Sequence, residues 1–461
     1  MTDISVDTDA GEVAPPQDRS FWGHPKGLGY IVFTEAWERF SFYGMQALLV
    51  LYMAGHLFKP EFVRNVIGFA AFRDAVEGVF GPLSVQALAS QVFGLYVGLI
   101  YLMPVLGGLI GDRLTGRKRA VVAGALLMAA GHFLMAFEAF FLFALLLLII
   151  GCGLLKGNLA AQVGNLYAKG DSRRDQGYSL YCMAINIGLF VAPLVCGTLG
   201  EVYGWHYGFG AAGVGMVIGT LVYLRGQAYL PAEPVKVAGT PSAKLQKGDG
   251  AAIFGTLMVL LITSLYWIAQ SQVWNSYAIW ARDRIDRDLF GFTIPVTWFQ
   301  SLDGLAVLVA TPVAIAYWKW QAKRQTERTE LIKVAQGCLV FGLACGLLTI
   351  GEMLAGNGKV ALIWPVLFHF VCAWGYLYAG TVTLAIVSRA APAPVNAMML
   401  GAYYLSIFIG GMASGWLGRF YEQMSPAHFW LMHGAIVAAG AVLLVVFRKP
   451  LARAMRLEPA A

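Results

Sequence analysis

Long apolar segments recur along the whole chain, and 133–152, 251–268 and 302–318 are three of them. Each comes close to the ~20 residues that a helix needs to cross a ~30 Å hydrocarbon layer. Inside a bilayer only helices and closed barrels satisfy their backbone hydrogen bonds, and continuous apolarity favours helices. Only 13% of the residues are charged, whereas soluble domains carry about 25%. The sequence therefore predicts an all-helical integral membrane protein.

Apolar segments bounded by glycine, proline or charged clusters predict about twelve membrane spans. They are placed near 28–54, 89–111, 118–137, 140–168, 177–200, 208–230, 250–280, 297–319, 332–354, 360–388, 395–418 and 428–447. The predicted organisation is a disordered cytoplasmic tail (1–24), a six-helix bundle (25–230), a cytoplasmic linker (231–249), a second six-helix bundle (250–448) and a cytoplasmic tail (449–461). Two such bundles around a central site are typical of transporters that rock between two open states.

The distribution of positive charge predicts the orientation of the chain. Clusters of Lys and Arg follow the second, fourth, eighth and last spans: Arg113, Arg117, Lys118, Arg119, Lys169, Arg173, Arg174, Lys319, Lys323, Arg324, Arg328, Arg448, Lys449, Arg453 and Arg456. The positive-inside rule places this side, and both termini, in the cytoplasm, with the chain in the cytoplasmic (inner) membrane. The net charge of +7 is then a consequence of topology, and it does not indicate a nucleic-acid partner.

The first span contains three ionisable residues, Glu35, Glu38 and Arg39, in an aromatic apolar context. A charge at the centre of a membrane costs at least ~2.5 kcal/mol, so such residues face a cavity or a partner and indicate a functional site. Positions three and four apart share one helix face, where a carboxylate and a guanidinium can pair. We therefore expect a polar, inward-facing cluster on this helix.

Three further polar motifs are candidates for function, namely residues 107–119, Lys156 and Asn186. Each of them also has a less specific interpretation. Residues 107–119 combine small residues with charges at a helix end, notably Gly108, Asp112, Arg113 and Arg117. They resemble the loop signature of the major facilitator superfamily, and the alternative is an ordinary basic turn.

Lys156 lies alone in the fourth span and is expected either to pair with Glu35 or Glu38 or to extend towards the membrane surface. Asn186, in the fifth span, offers donors and an acceptor to a polar substrate, or joins two helices.

Taken together, the segments 35–44, 151–156 and 178–190 resemble the proton-dependent oligopeptide transporter family of the major facilitator superfamily. The resemblance implies a twelve-helix transporter that imports di- and tripeptides with protons. It also implies that Arg39 and Lys156 bind the peptide carboxylate, and that Glu35 and Glu38 couple protons and form a salt bridge to Lys156. Tyr43, Tyr101 and Asn186 would line the first-bundle wall of the pocket.

The second half departs from the family pattern. The seventh-span segment 266–275 has no carboxylate, and Tyr376 replaces the acid of the tenth span. Asp303 remains. It either substitutes for these acids, by taking part in proton coupling or by meeting an amino group, or lies in water near the outer helix end. Modified peptides or another small carboxylate-bearing metabolite are therefore alternative substrates. Trp274, Tyr376 and Tyr403 are candidate pocket walls, with core packing as the alternative.

No cluster of residues suggests an enzyme, because nucleophile, base and metal-ligand groupings at workable spacing are missing. The six cysteines lie in apolar spans and are interpreted as buried thiols. We expect no cofactor beyond the proton gradient. The expected partners are a small peptide, protons and membrane lipid.

Overall fold

The computed structural model of the chain describes residues 18–168, 171–231 and 245–457. Twelve helices of 18 residues or more lie within these ranges, and we number them in chain order. They are α1 Lys26–Tyr52, α2 Val85–Ile110, α3 Arg117–Leu134, α4 Phe141–Asn165, α5 Arg173–Ala192, α6 Trp205–Gly226, α7 Asp249–Gln272, α8 Val296–Lys323, α9 Glu330–Ala355, α10 Ile363–Ala390, α11 Asn396–Gly418 and α12 Pro426–Ala454.

Shorter elements connect the long helices. The α-helical ones are Pro60–Val63, Phe69–Phe80 and Ser276–Arg284, and the two strands are β1 Asp288–Leu289 and β2 Phe292–Thr293. Helix ends with π or 3₁₀ geometry are Met53–Leu57, Gly111–Thr115, Glu138–Phe140, Pro193–Gly197, Leu199–Tyr203, Gln227–Tyr229, Ala393–Val395 and Arg419–Glu422. The strands pair with each other antiparallel in a short hairpin between α7 and α8.

In the described part of the chain, ten of the long helical segments are, by length and composition, able to cross a membrane. The two long helices outside this group are α1, which carries Glu35, Glu38 and Arg39, and α3, which begins with Arg117, Lys118 and Arg119. The all-helical membrane fold is confirmed. The count of twelve spans remains a prediction.

Several predicted boundaries differ from the structure. Residues 18–24, predicted as disordered tail, form a turn in which the His24 imidazole is hydrogen-bonded to the Tyr167 hydroxyl at 2.8 Å. At the other terminus, α12 continues to Ala454, beyond the predicted boundary at 448. The rest of the first tail (1–17), most of the linker (232–244) and residues 458–461 lie outside the described residues.

The long helices pack as two bundles, α1–α6 and α7–α12. In the first bundle α1 packs on α5 and α6, and α4 packs on α2 and α3. In the second, α9 packs on α10 and α12, and α7 packs on α11 and α12. The largest contacts between bundles are made by α2 with α11 and by α5 with α8. Any site between the bundles is therefore flanked by these four helices.

Successive connections alternate between two ends of the molecule. We call the end that carries residues 111–116, 166–168, 171–172 and 324–329 the basic end, and the other the opposite end. At the opposite end, the Glu201 carboxylate accepts hydrogen bonds from the backbone N–H groups of Val296 and Thr297, each at 2.8 Å. The indole of Trp298 also donates to the Thr198 hydroxyl at 2.7 Å. These bonds join the two bundles at the opposite end.

The contact between α2 and α11 is tight near the opposite end and looser near the basic end. A Cβ atom on Gly94 would lie 2.6 Å from the Gly415 Cα and 2.7 Å from the Gly411 carbonyl oxygen. A Cβ atom on Gly401 would have no neighbour nearer than 3.8 Å, on Val105. Small residues permit the close approach near the opposite end, and the packing is looser at Gly401.

We predict that Gly94→Ala destabilises the protein by about 1–3 kcal/mol, because the added methyl group meets backbone atoms that cannot move aside. Gly346→Ala is the matched control, since a Cβ atom on this α9 glycine has open space around it. Thermal unfolding in detergent should show a lower midpoint for Gly94→Ala and an unchanged or higher one for Gly346→Ala. Equal midpoints would contradict the close packing of α2 on α11.

Candidate substrate and proton site

The three ionisable residues of α1 form one buried cluster. The Arg39 Nε atom lies 3.0 Å from Glu35 Oε1 and 2.5 Å from Glu38 Oε2. All three residues are essentially inaccessible to solvent, with exposures of 1%, 0% and 1% for Glu35, Glu38 and Arg39. The distances are those of ion pairs, although Glu38 lacks hydrogen-bond geometry with any described group. Two carboxylates thus share one guanidinium inside the first bundle.

Tyr181 on α5 completes the cluster. Its hydroxyl donates a hydrogen bond to Glu35 Oε2 at 2.6 Å, and the tyrosine is itself buried. Since α5 also contacts α8 of the second bundle, this bond links the acidic cluster to a helix at the boundary between bundles. Tyr181 was not among the residues predicted for the site, although it lies in the 178–190 segment that carries the family resemblance.

Lys156 does not form the predicted salt bridge. Among the described residues it has no carboxylate within ion-pair distance, and its ammonium lies over the Tyr101 ring, 4.3 Å from the centroid, and 5.6 Å from the Phe42 centroid. The reason is that Arg39 already contacts both carboxylates, while the ring faces attract the ammonium. The predicted pairing is therefore wrong for this conformation, but Lys156 points inward, beside the cluster.

The residues predicted for the first-bundle wall lie around these charges. Tyr43 and Tyr101 are half-buried, and the Arg39 guanidinium lies 5.9 Å from the Tyr43 ring centroid. Asn186 is half-buried on α5 and donates to the Cys182 carbonyl oxygen at 2.9 Å. One amide donor of Asn186 is thus used within its own helix, and the carbonyl oxygen of the side chain remains as an acceptor.

One residue predicted for the second-bundle wall, Trp274, and a further tyrosine, Tyr404, are aromatic neighbours of the first wall. Trp274 lies 5.4 Å from Tyr43 between ring centroids, and Tyr404 lies 6.3 Å from Tyr101. Tyr376 is half-buried, whereas Tyr403 is buried and donates to the Gly380 carbonyl oxygen at 3.2 Å. Tyr403 therefore has a packing role in this conformation. The other aromatic residues place an uncharged surface opposite Arg39 and Lys156.

Asp303 does not lie in water at a helix end. It is 8% exposed on α8, and its Oδ1 atom lies 3.7 Å from Nδ1 of His369 on α10. His369 is fully buried, and its Nε2 atom is hydrogen-bonded to the Tyr277 hydroxyl at 3.0 Å. The sequence showed only a lone histidine in an apolar span, and the helix packing reveals its acidic neighbour.

The loop motif after α2 forms a local ion pair. Arg117 Nε lies 2.9 Å from Asp112 Oδ1. A Cβ atom added to Gly108 would have open space around it. Arg113 is exposed. In the next loop at the basic end, a hydrogen bond from Arg173 lowers the pKa of the Asp171 carboxyl. These charges lie at the helix ends and not in the central cluster.

The cysteines and the possible metal ligands form no additional site in the described ranges. The six cysteines are free thiols, of which five are buried and Cys182 is exposed. No group of His, Cys, Asp and Glu side chains suited to a metal ion occurs within residues 18–168, 171–231 and 245–457.

The comparison with known protein families identifies the family of the chain. A model of the POT family matches residues 118–246 and 232–431. The chain belongs to the POT family. The predicted family and major facilitator fold are thereby confirmed, and so is the prediction of a transporter and not an enzyme.

Individual relatives agree with this assignment over nearly the whole chain. The peptide transporter YePEPT of Yersinia enterocolitica is 29% identical, with 94% of this chain and 95% of the relative covered. The di-/tripeptide transporter of Lactococcus lactis subsp. cremoris is 26% identical over 95% and 98%. A crystal structure of a mutant peptide transporter POT in complex with alafosfalin matches with a TM-score of 0.81 at 30% identity, over 95% and 97%. This POT family protein is thus a multi-pass membrane protein with peptide transporters among its relatives.

Proposed function

We propose that this POT family protein is a proton-coupled symporter that imports di- and tripeptides by alternating access. The observation that carries the proposal is the buried cluster of Glu35, Glu38 and Arg39 with Lys156 beside it. Relatives named as peptide transporters support the substrate class. The cytoplasmic membrane, with the basic end inside, is the location that the positive-inside rule supports.

The charges of the cluster suggest how protons and substrate are coupled. Glu35, Glu38, Arg39 and Lys156 together carry no net charge when all four are ionised. A peptide carboxylate that reaches Lys156 and Arg39 adds one negative charge, and a proton on Glu35 or Glu38 restores neutrality. Since an uncompensated charge in a buried site is expensive, the pocket binds the peptide carboxylate and the proton together.

The packing between bundles supports alternating access. The opposite end is joined by bonds such as those from Val296 and Thr297 to Glu201, whereas the contact between α2 and α11 is looser at Gly401, towards the basic end. Tyr181 connects Glu35 to α5, so a change of protonation alters a contact on a helix between the bundles. The protonation state thereby biases which end is open.

The pocket offers fewer charged partners to the free amino group of a peptide than to its carboxylate. The second-bundle wall offers Trp274, Tyr376 and the buried Asp303, and the family acids of the seventh and tenth spans are missing. Modified peptides or another small carboxylate-bearing metabolite are therefore the second candidate substrates. Competition between these compounds and natural dipeptides separates the two proposals.

A thermal-shift screen of the purified protein against di- and tripeptides tests the substrate class, because ligands that bind the folded state raise the unfolding midpoint.

We predict that Lys156→Gln weakens dipeptide binding by about 10- to 100-fold, the loss expected for a charged hydrogen bond of ~1.5–3 kcal/mol. The matched control is Lys359→Gln, which removes a lysine at the opposite end. Dipeptide binding that is unchanged in Lys156→Gln would remove the proposed role of this lysine.

Asp303 and His369 form a second proposed proton site, in the bundle that lacks the family acids. A proton between Oδ1 of Asp303 and Nδ1 of His369 would neutralise the carboxylate, and a small side-chain rotation closes the 3.7 Å gap. Gly304, the next residue, packs against the α5 backbone, where a Cβ atom would lie 2.7 Å from the Phe190 nitrogen. The site therefore lies on a helix that contacts the other bundle.

We predict that Asp303→Asn reduces the number of protons moved per peptide while the protein still binds dipeptide. The measurement is the ratio of proton to peptide fluxes in proteoliposomes. Asp286→Asn serves as control, because Asp286 lies in the connection between α7 and α8 and outside the bundle core. An unchanged flux ratio in Asp303→Asn would rule out coupling through this site.

A further inference from the structure

Two adjoining cavities lie at the basic end of the second bundle. In the described part of the chain, α8 and α9 both pack on α10 but make little contact with each other. The gap between them is a cleft of about 800 Å³. A second cavity, of about 680 Å³, lies at the connection between α8 and α9, near the ends of α10 and α12. Thr326 and Arg328 line both cavities, so the two adjoin each other.

The second cavity carries an excess of positive charge. Its charged lining consists of Arg328, Lys333, Arg389, Arg448 and Lys449 with Glu327 and Glu330. Lys333 pairs with Glu327, and Arg389 pairs with Glu330. Arg328, Arg448 and Lys449 form no ion pair with any residue in the described ranges. Three cations from α12 and the α8–α9 connection therefore face one cavity without a compensating acid among these residues.

The cleft is mostly apolar, since aromatic and aliphatic side chains form most of its wall. Tyr317 and Trp320 on α8 and Leu339 on α9 flank it, and these side chains are 42%, 46% and 50% exposed. Trp374 and Tyr378 on α10 form its floor. The α9 side of the cleft runs from Gln336 to Val340, about 6 Å at 1.5 Å per residue, and the second cavity continues along the same helix from Glu330 to Lys333. The wall of the cleft is mostly apolar.

We propose that the two cavities together bind one anionic phospholipid. The phosphate-bearing head group lies among Arg328, Arg448 and Lys449, and one acyl chain follows the cleft between α8 and α9. Basic pockets between helices attract anionic head groups, and Tyr or Trp side chains favour the membrane interface. A soluble anion would use the cations alone, whereas a phospholipid uses the cations and the apolar cleft. This proposal does not depend on the transported substrate.

The test measures binding of phosphatidylglycerol to the full chain in detergent, with phosphatidylcholine of the same acyl chains as comparison and glycerol phosphate as the soluble head group. We expect the double variant Arg328→Gln/Arg448→Gln to weaken phosphatidylglycerol binding by about 25-fold, or about five-fold per removed charge, because each Lys or Arg attracts an anionic lipid by about 1 kcal/mol. Leu339→Trp should also weaken it, because the larger side chain narrows the cleft.

The matched control is Lys59→Gln/Arg64→Gln, which removes two exposed cations at the opposite end and should leave binding unchanged. Unfolding midpoints without lipid verify that each variant is folded. The proposal is overturned if phosphatidylcholine binds as tightly as phosphatidylglycerol, or if the control loses as much affinity as the double variant. It is also overturned if glycerol phosphate displaces the lipid at equal concentration, which would identify a site for soluble phosphates.

Discussion

Glu38→Gln is expected to abolish dipeptide accumulation driven by a proton gradient while preserving exchange of peptide across the membrane. Glu38 is fully buried, and its carboxylate lies 2.5 Å from Arg39 Nε. Glutamine keeps the size of the side chain but cannot take up or release a proton, so the variant imitates one protonation state. Uptake into proteoliposomes with an acidic exterior should fall to the level seen without a gradient, whereas counterflow should continue.

The matched control for this prediction is Glu61→Gln, which makes the same chemical change at an exposed position of the opposite end. It should accumulate dipeptide as the unmodified protein does. Full gradient-driven accumulation by Glu38→Gln would contradict its role in coupling. Loss of counterflow as well would indicate that the cluster is needed for the bundle movement and not for coupling alone.

Arg39→Gln is expected to lower the free energy of unfolding by about 3–5 kcal/mol, the usual effect of removing one partner from a buried ion pair. The substitution leaves Glu35 and Glu38 without the guanidinium that both contact. Tyr181 still donates to Glu35, but no described group donates a well-oriented hydrogen bond to Glu38. Denaturant unfolding in detergent measures the change.

The double variant Glu38→Gln/Arg39→Gln provides the control for this stability effect. It removes the guanidinium together with one of the carboxylates, so it should recover part of the stability lost in Arg39→Gln. If both variants unfold at the same denaturant concentration, the loss comes from packing of the arginine and not from unbalanced charge. That result would contradict the electrostatic account of the cluster.

The charged cluster was predictable because a charge inside a membrane is costly. Three ionisable residues within one turn and a half of an apolar helix indicated that Glu35, Glu38 and Arg39 lie together and face inward. The structure places the predicted pairs at ion-pair distance. The spacing of residues on one helix is a local property, so the sequence carries it directly.

Partners from other helices were less predictable. Tyr181 lies 146 residues from Glu35 and His369 lies 66 residues from Asp303, so both contacts depend on how the helices pack. The pairing of Lys156 was wrong for this conformation, because Arg39 already contacts both carboxylates and the Tyr101 ring attracts the ammonium. Such competition depends on side-chain positions that spacing along the chain does not specify.

Proton-coupled transport can be measured as dipeptide uptake into proteoliposomes that contain the purified protein and are subjected to an inward proton gradient. Dipeptide is expected to accumulate above its external concentration, and a protonophore is expected to dissipate this accumulation. Dipeptide that only equilibrates, with or without the gradient, would contradict proton-coupled transport by this protein.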